Sequence, residues 1–74
     1  ENMNNKIILT KHAKQRMNER GISIQNIQEA IEFPDYTISK RNKIESHKKI
    51  NDKVLKVVYL KPDKFIKIIT LMWK

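Results

Sequence analysis

Residues 10–22 read Thr-Lys-His-Ala-Lys-Gln-Arg-Met-Asn-Glu-Arg-Gly-Ile, and this stretch determines how the first half of the chain folds. Thr10 is a good helix N-cap, and Gly21, the single glycine in the sequence, lies where a helix needs a left-handed closing residue. A second helix begins almost at once, with Ser23 as its N-cap. Residues 10–33 are therefore predicted to form a compact αα-hairpin.

The second half of the chain has the alternating pattern of β-strands. Its segments are rich in Ile, Val, Tyr and Phe, and polar connections of hairpin length separate them. The predicted strands span residues 36–39, 43–50, 54–60 and 65–73. The apolar run at residues 6–9 is either a strand added to a sheet edge or the lead-in to the first helix. The predicted fold class is α+β: an N-terminal αα-hairpin packed on one face of a three- or four-stranded antiparallel sheet, with residues 36–74 as a β-meander.

The strand register is predicted from the side chains that each alternative would bury. A two-residue turn at residues 51–52 places Ile44 and Ile50 on the helix side, whereas a three-residue loop would bury Glu45 and charged neighbours. Pairing Leu60 with Phe65 then predicts a helix side made of Leu55, Val57, Tyr59, Ile66, Ile68, Thr70 and Met72. The opposite side of the sheet, here called the open face, would carry His47, Lys49, Lys56 and Lys67, interleaved with Val58, Leu60, Ile69, Leu71 and Trp73.

Composition limits the classes of protein to which the chain can belong. Its 74 residues suffice for one domain, residues 1–74, in which residues 1–5 are expected to be disordered or extraneous. There are no cysteines, so neither a disulfide framework nor a thiolate metal site is expected. No apolar run approaches the roughly 20 residues of a membrane helix, and no signal peptide is recognisable. A cytoplasmic protein without membrane attachment is expected.

The net charge of +8 is large for this length and is concentrated in the second half of the chain. Residues 35–74 hold eleven Lys and Arg against four acidic residues. Such an imbalance is typical of a protein with a polyanionic partner, and RNA is the leading candidate. The alternative is that lysines keep a small sheet protein soluble and protect its edges from pairing.

The first helix carries the sharpest candidate site. His12, Arg16 and Arg20 recur at helical spacing and form a stripe beside the buried face. Tyr59 and Thr70 are predicted to lie on the sheet surface that this stripe meets. Phosphodiester cleavage without a metal needs a base, an acid and fixed cations, and histidine and arginine supply them. The predicted catalytic residues are therefore His12, Arg16, Arg20 and Thr70, with structural roles for the histidine and the arginines as the alternative.

The open face is the predicted RNA-binding surface, because lysines neutralise phosphates and aromatic rings stack with bases. Its predicted contacts are His47, Lys49, Lys56, Lys67 and Trp73. His47 is expected to be an exposed strand histidine, and a second acid/base role is the alternative. No carboxylate cluster or cysteine accompanies His12 or His47, and a single glycine excludes a Gly-rich phosphate loop. Neither a metal nor another cofactor is expected.

The motif His12-Ala13-x-x-Arg16-x-x-x-Arg20-Gly21-Ile22, with a last strand reading Ile69-Thr70-Leu71-Met72-Trp73, resembles a family of small bacterial proteins of unknown function. That family is similar to BrnT-type toxins and, more distantly, to RelE-like ribonucleases of toxin–antitoxin systems. The resemblance covers nearly the whole chain from Leu9. It implies a barnase-, colicin- and RelE-like fold and metal-independent RNA cleavage. It marks His12, Arg16, Arg20 and Thr70 as motif positions, while RelE-like members also rely on basic residues of the sheet.

Three functions are therefore alternatives. The first is an endoribonuclease, the toxin of a pair, held inactive by an acidic antitoxin protein. The second is an RNA- or ribosome-binding module without catalysis. The third is an interaction protein that pairs with a partner or a second copy of itself through an exposed sheet edge, for which the apolar residues 66–73 are the candidate.

Overall fold

The computed structural model describes residues 6–62 and 64–74, and the expectation for residues 1–5 lies outside them. In chain order the elements are β1 (Lys6–Leu9), α1 (Lys11–Arg20), α2 (Ile24–Glu32), β2 (Tyr36–Lys40), β3 (Lys43–Ile50), β4 (Lys53–Leu60) and β5 (Phe65–Trp73). They form one five-stranded sheet in the order β1-β5-β4-β3-β2, with both helices packed against a single core. The predicted α+β class and its two helices are confirmed, but each described helix packs on the sheet, α1 on β5 and β1 and α2 on β3 and β4, and not on the other helix as a hairpin would.

The predicted strand count and the purely antiparallel sheet were wrong. Residues 6–9 form a fifth strand, which pairs in parallel with β5 so that Ile7 lies beside Ile66 and Leu9 beside Ile68. Four residues are too few for periodicity to identify a strand, and only the distant partner defines it. β1 covers only the first part of β5, residues 65–68, so residues 66–68 lie between two strands while residues 69–73 pair with β4 alone.

The helix ends are closed by the residues that the sequence predicts. The hydroxyl of Thr10 accepts a hydrogen bond from the Ala13 N–H at 3.1 Å, and it donates to the Ile68 carbonyl oxygen at 2.9 Å. Gly21 ends α1 with φ 63°, a left-handed conformation that glycine adopts at little cost. Ser23 caps α2 in a reciprocal capping box. The cap of α1 therefore also joins the helix to β5.

The register between β3 and β4 agrees with the prediction. Ile50 pairs with Lys53, so residues 51–52 form the two-residue turn, and His47 lies directly opposite Lys56. Ile44 and Ile50 pack against the core on the helix side, as expected.

The register between β4 and β5 differs from the prediction in two ways. Leu60 pairs with Lys67 and not with Phe65, and a β-bulge follows. Tyr59 pairs with Ile68, but Val58 pairs with Thr70, so one extra residue stands between the two pairs on β5. An extra residue reverses which side of the sheet every later side chain faces.

The bulge corrects the predicted faces of the last strand. Leu71 belongs to the core with an exposed fraction of 0%, and Trp73 packs against the same core. Thr70 lies opposite Val58 and Met72 opposite Lys56, both on the open face. The predicted positions of Thr70, Met72, Leu71 and Trp73 were therefore wrong, because alternation was extended through a strand that contains a bulge.

The described helices α1 and α2 are too short and too polar to cross a lipid bilayer.

Candidate functional site

The helix stripe ends in a structural contact. Arg20 donates a hydrogen bond from Nη1 to the carbonyl oxygen of Leu71 at 2.9 Å. In return, Trp73 donates from its indole nitrogen to the carbonyl oxygen of Arg20 at 2.8 Å. These two bonds fasten the end of α1 to β5. They satisfy one carbonyl at the end of a helix and one in the part of β5 that β1 does not reach.

The other members of the stripe do not meet Thr70. His12 is exposed, and Arg16 pairs with Glu19 on its own helix at 2.8 Å. Tyr59 is buried on the helix side, with its hydroxyl 3.5 Å from that of Ser46. Thr70 lies across the sheet on the open face. The structure does not bring His12, Arg16, Arg20, Tyr59 and Thr70 to one rim, and their catalytic roles stay a prediction.

The open face contains a second cluster of polar side chains. Cross-strand pairing places Tyr36, His47 and Lys56 side by side on β2, β3 and β4. Glu45 lies two residues before His47 on the same side of β3. His47 is only 3% exposed and Glu45 is 9% exposed, although neither is covered by a helix. The expectation that His47 is an exposed strand histidine was wrong, because neighbouring side chains of the open face cover it.

The imidazole of His47 is held from several sides. Its ring stacks on that of Tyr36, with centroids 4.4 Å apart and planes 7° apart. Its Nδ1 lies 3.4 Å from the Lys74 ammonium, which also donates to the Tyr36 hydroxyl at 3.3 Å. Because an ammonium group only donates, Nδ1 is the acceptor and the imidazole proton is assigned to Nε2. Nε2 lies 3.7 Å from Glu45 Oε1, which is too long for a hydrogen bond.

Burial and charge set the protonation states of this pair. Burial lowers the pKa of His47 below its ordinary value of 6.5, the Lys74 charge lowers it further, and Glu45 opposes both effects. His47 is therefore neutral near pH 7, and its Nδ1 lone pair is directed at the Lys74 ammonium. The hydrogen bond from Lys40, at 3.1 Å, holds the pKa of Glu45 below its ordinary value of 4.5. Glu45 is thus ionised and faces the protonated side of the imidazole.

Three lysines surround the Glu45 and His47 side chains. Lys40 binds Glu45, Lys56 lies 3.9 Å from the same carboxylate, and Lys74 reaches the imidazole. The arrangement, here called the His47 cluster, offers a neutral proton acceptor, a phenol, a carboxylate and several cations. Its members are Tyr36, Lys40, Glu45, His47, Lys56 and Lys74.

The predicted RNA-binding residues do not all lie near this cluster. His47 and Lys56 are neighbours within it, and Lys49 follows on the same side of β3. Lys67 is exposed on the open face beside Leu60. Trp73 lies on the helix side and not on the predicted open face, and its contact with RNA stays a prediction.

Sequence reasoning missed Tyr36, Glu45 and Lys74. A two-residue turn at residues 41–42 places Tyr36 opposite His47, and this turn was the available signal for the stacked pair. The same alternation that placed His47 on the open face also places Glu45 there. No sequence signal predicts that Lys74 folds back over the imidazole.

Within residues 6–62 and 64–74, no three His, Cys, Asp or Glu side chains are grouped so as to hold a metal ion. Residues 9–73 match the model of a family described as a domain of unknown function, DUF4258. No curated protein and no solved structure matches the chain.

Proposed function

The chain belongs to the DUF4258 family, and from this premise we propose that it is a metal-independent endoribonuclease whose reaction is centred on His47. One observation carries the proposal: a buried, neutral histidine faces an ionised Glu45 on the side of a sheet that the helices leave open. Buried titratable groups with a charged partner are enriched at catalytic sites. The net charge of +8 supports RNA as the substrate.

The proposed reaction is an internal transfer of the phosphodiester. His47 Nδ1 removes the proton from a ribose 2′-hydroxyl, and the 2′-oxygen forms a bond to phosphorus while the bond to the 5′-oxygen breaks. The leaving oxygen receives the proton of the Tyr36 hydroxyl. That proton is available because this hydroxyl accepts its hydrogen bond from Lys74. The products are a 2′,3′-cyclic phosphate and a 5′-hydroxyl, and the His47 proton then returns to Tyr36 through solvent.

The charged neighbours have separate roles in this reaction. Glu45 stabilises the imidazolium that forms, because its carboxylate faces the protonated Nε2, with Oε1 3.7 Å from that nitrogen. Lys74 and Lys56 supply positive charge where the phosphate gains negative charge. In the free protein Lys74 covers Nδ1, and the incoming phosphate draws the ammonium away from the imidazole. Catalysis on the sheet also accords with the resemblance to RelE-like ribonucleases.

The toxin role is part of the same proposal. An acidic antitoxin protein would cover the basic surface, because eleven of the sixteen Lys and Arg lie in residues 35–74. Covering the open face would also exclude RNA from His47.

The test compares the two histidines of the chain in the presence of EDTA. Single-stranded RNA is incubated with the native protein, His47→Gln and His12→Gln, and the new ends are identified. We expect cleavage with cyclic phosphate ends, a loss of about 10²–10⁴-fold in His47→Gln, and native rates in His12→Gln. A substrate with 2′-deoxyribose throughout should stay intact, because it lacks the attacking hydroxyl.

The reverse pattern, with activity lost only in His12→Gln, would move the reaction to the helix stripe and overturn the proposal. Binding without cleavage by the native protein would favour the non-catalytic RNA-binding module. The specific observation behind that second candidate is the 3% exposure of His47, which Tyr36 and Lys74 cover.

A further inference from the structure

A cleft lies at one end of the sheet, where β3 begins, and Lys43 in its lining is four residues along β3 from His47. It has a volume of about 460 Å³, between the turn that joins β2 to β3 and the end of β4. This turn cleft is lined by three cationic side chains and three apolar ones: Arg41, Lys43, Lys61, Ile44, Leu60 and Pro62.

The basic side chains of the turn cleft are available for an anion. Among residues 6–62 and 64–74, no ion pair uses Arg41 or Lys43. Arg41 also has a φ of 49°, in the left-handed region that a non-glycine residue enters at a cost of about 1 kcal/mol. Glycine or asparagine would fit this turn position with less strain. An arginine here is therefore explained by its charge and not by the turn.

The composition of the turn cleft suits a nucleotide. Pockets for small ligands have volumes of roughly 300–1,000 Å³ and combine apolar walls with a few convergent polar groups. Ile44, Leu60 and Pro62 offer an apolar surface to a base, while the three cations offer partners to phosphate. Among residues 6–62 and 64–74, no carboxylate lies in the cleft lining.

The turn cleft continues the surface of the His47 cluster. Lys43, Glu45 and His47 alternate on β3 and so face the same side of the sheet. Lys43 and His47 are four residues apart, which corresponds to about 13 Å along a strand. We propose that the turn cleft binds a nucleotide of the RNA strand that lies beyond the immediate neighbour of the one that reacts at His47. This inference rests on the proposed function. The groups that the turn cleft would recognise are the base and the phosphate of a nucleotide.

The first experiment measures binding, and it does not require cleavage. The variant Arg41→Asn with Lys61→Gln removes two charges, and asparagine tolerates the left-handed turn. The matched control, Lys11→Gln with Lys14→Gln, removes two charges from exposed positions of α1. The probe is a fluorescent hexanucleotide of 2′-O-methyl RNA, which cannot react. We expect weaker binding in the cleft variant only, with the slope of log affinity against log salt reduced by about 1.4.

Equal affinity and salt dependence in the cleft variant and the control would overturn the inference. So would uridine 5′-monophosphate binding the native cleft as tightly as the hexanucleotide, since the cleft would then take free nucleotides. Amide chemical shifts report the place of binding, and the inference requires changes at the 41–43 turn and at Lys61.

Cleavage separates this inference from the proposed function. A dinucleotide has no flanking phosphate, so the cleft variant should cleave it at the native rate and cleave longer RNA more slowly. If RNA binds to the cleft but is not cleaved, the proposed reaction is contradicted and the inference about the cleft is supported. If the cleft variant cleaves long RNA at the native rate, the inference about the cleft is contradicted and the proposed reaction is supported.

Discussion

The two faces of the sheet use polar side chains in opposite ways. On the helix side, Arg20 and Trp73 each bond to a backbone carbonyl, and the result is a fixed junction between α1 and β5. On the open face, Glu45, His47 and Tyr36 meet one another, and a buried imidazole nitrogen lacks a hydrogen-bond partner among the described residues. The bonds of Arg20 and Trp73 end on the protein's own backbone, whereas a buried donor without a partner is a feature that calls for an explanation. The junction formed by Arg20 and Trp73 is therefore a structural contact, and the His47 cluster is the candidate site.

The largest expected effect is on stability, and it compares two adjacent residues of β5. The bulge determines which of them faces the core. Leu71→Ala should lower the free energy of unfolding by about 2–5 kcal/mol, because the side chain is fully buried. Met72→Ala, on the open face and 36% exposed, is the matched control and should cost about 1 kcal/mol or less. Urea denaturation measures both. A larger loss in Met72→Ala would mean that the last strand keeps unbroken alternation.

The second comparison is between two arginines of the stripe. Arg20→Ala should cost about 1.5–3 kcal/mol of stability, because its charged bond to the Leu71 carbonyl is lost. Arg16→Ala removes an ion pair with Glu19 near the surface and should cost about 0.2–1 kcal/mol. Thermal unfolding followed by circular dichroism ranks the two. Equal losses of stability in the two variants would show that the Arg20 bond to β5 contributes no more than the surface ion pair of Arg16.

The third prediction uses pH to examine the open face. Since the pKa of His47 is lowered in the folded protein, the unfolded chain binds its proton more readily. Stability should therefore be full above the ordinary histidine pKa of 6.5 and fall as the pH drops towards the lower folded value. The slope can reach at most about 1.4 kcal/mol per pH unit.

The control for the pH series is His47→Gln. This variant should lose the slope between about pH 7 and pH 5, while Glu19 and Glu45, whose pKa values are lowered from 4.5, act only in more acidic solution. An unchanged slope in His47→Gln would show that the imidazole is not held in its neutral form by the fold.

The smallest expected effect on stability belongs to a lysine of the open face. Lys67→Gln should change the free energy of unfolding by no more than about 0.5 kcal/mol, because the side chain is exposed. Its RNA affinity should fall, and the salt slope should decrease by about 0.7 for the lost phosphate contact. Fluorescence anisotropy with Lys14→Gln as the control measures this. Identical affinities in the two variants would confine RNA binding to other parts of the open face.

Local features of this fold were predictable from sequence, and features set by distant partners were not. The caps at Thr10, Gly21 and Ser23 depend on residues within one helical turn. The register at residues 51–52 follows from burial on a single hairpin. The bulge in β5 and the β1 pairing arise from contacts across the whole chain, and neither leaves a periodic signal.

The candidate site was predictable only in part for the same reason. His47 and Lys56 were placed together correctly because one hairpin contains both. Glu45 was regarded as a residue to keep from burial, yet it is buried on the open face beside Lys40. Tyr36 and Lys74 come from opposite ends of the sheet-forming segment. The fold brings them together at His47, and no spacing in the sequence indicates that contact.

The parallel pairing of β1 with β5 has a consequence for how the protein folds during its synthesis. Residues 6–9 are synthesised before both helices and β2–β4, but their partner residues 65–68 are synthesised only after those elements. The Thr10 cap also bonds to Ile68, so the first helix lacks a tertiary anchor until the same moment. Contacts of such long sequence separation form slowly because the loop must close first. The nascent chain should therefore be sensitive to proteases until β5 is complete, and limited proteolysis of stalled ribosome complexes would reveal it.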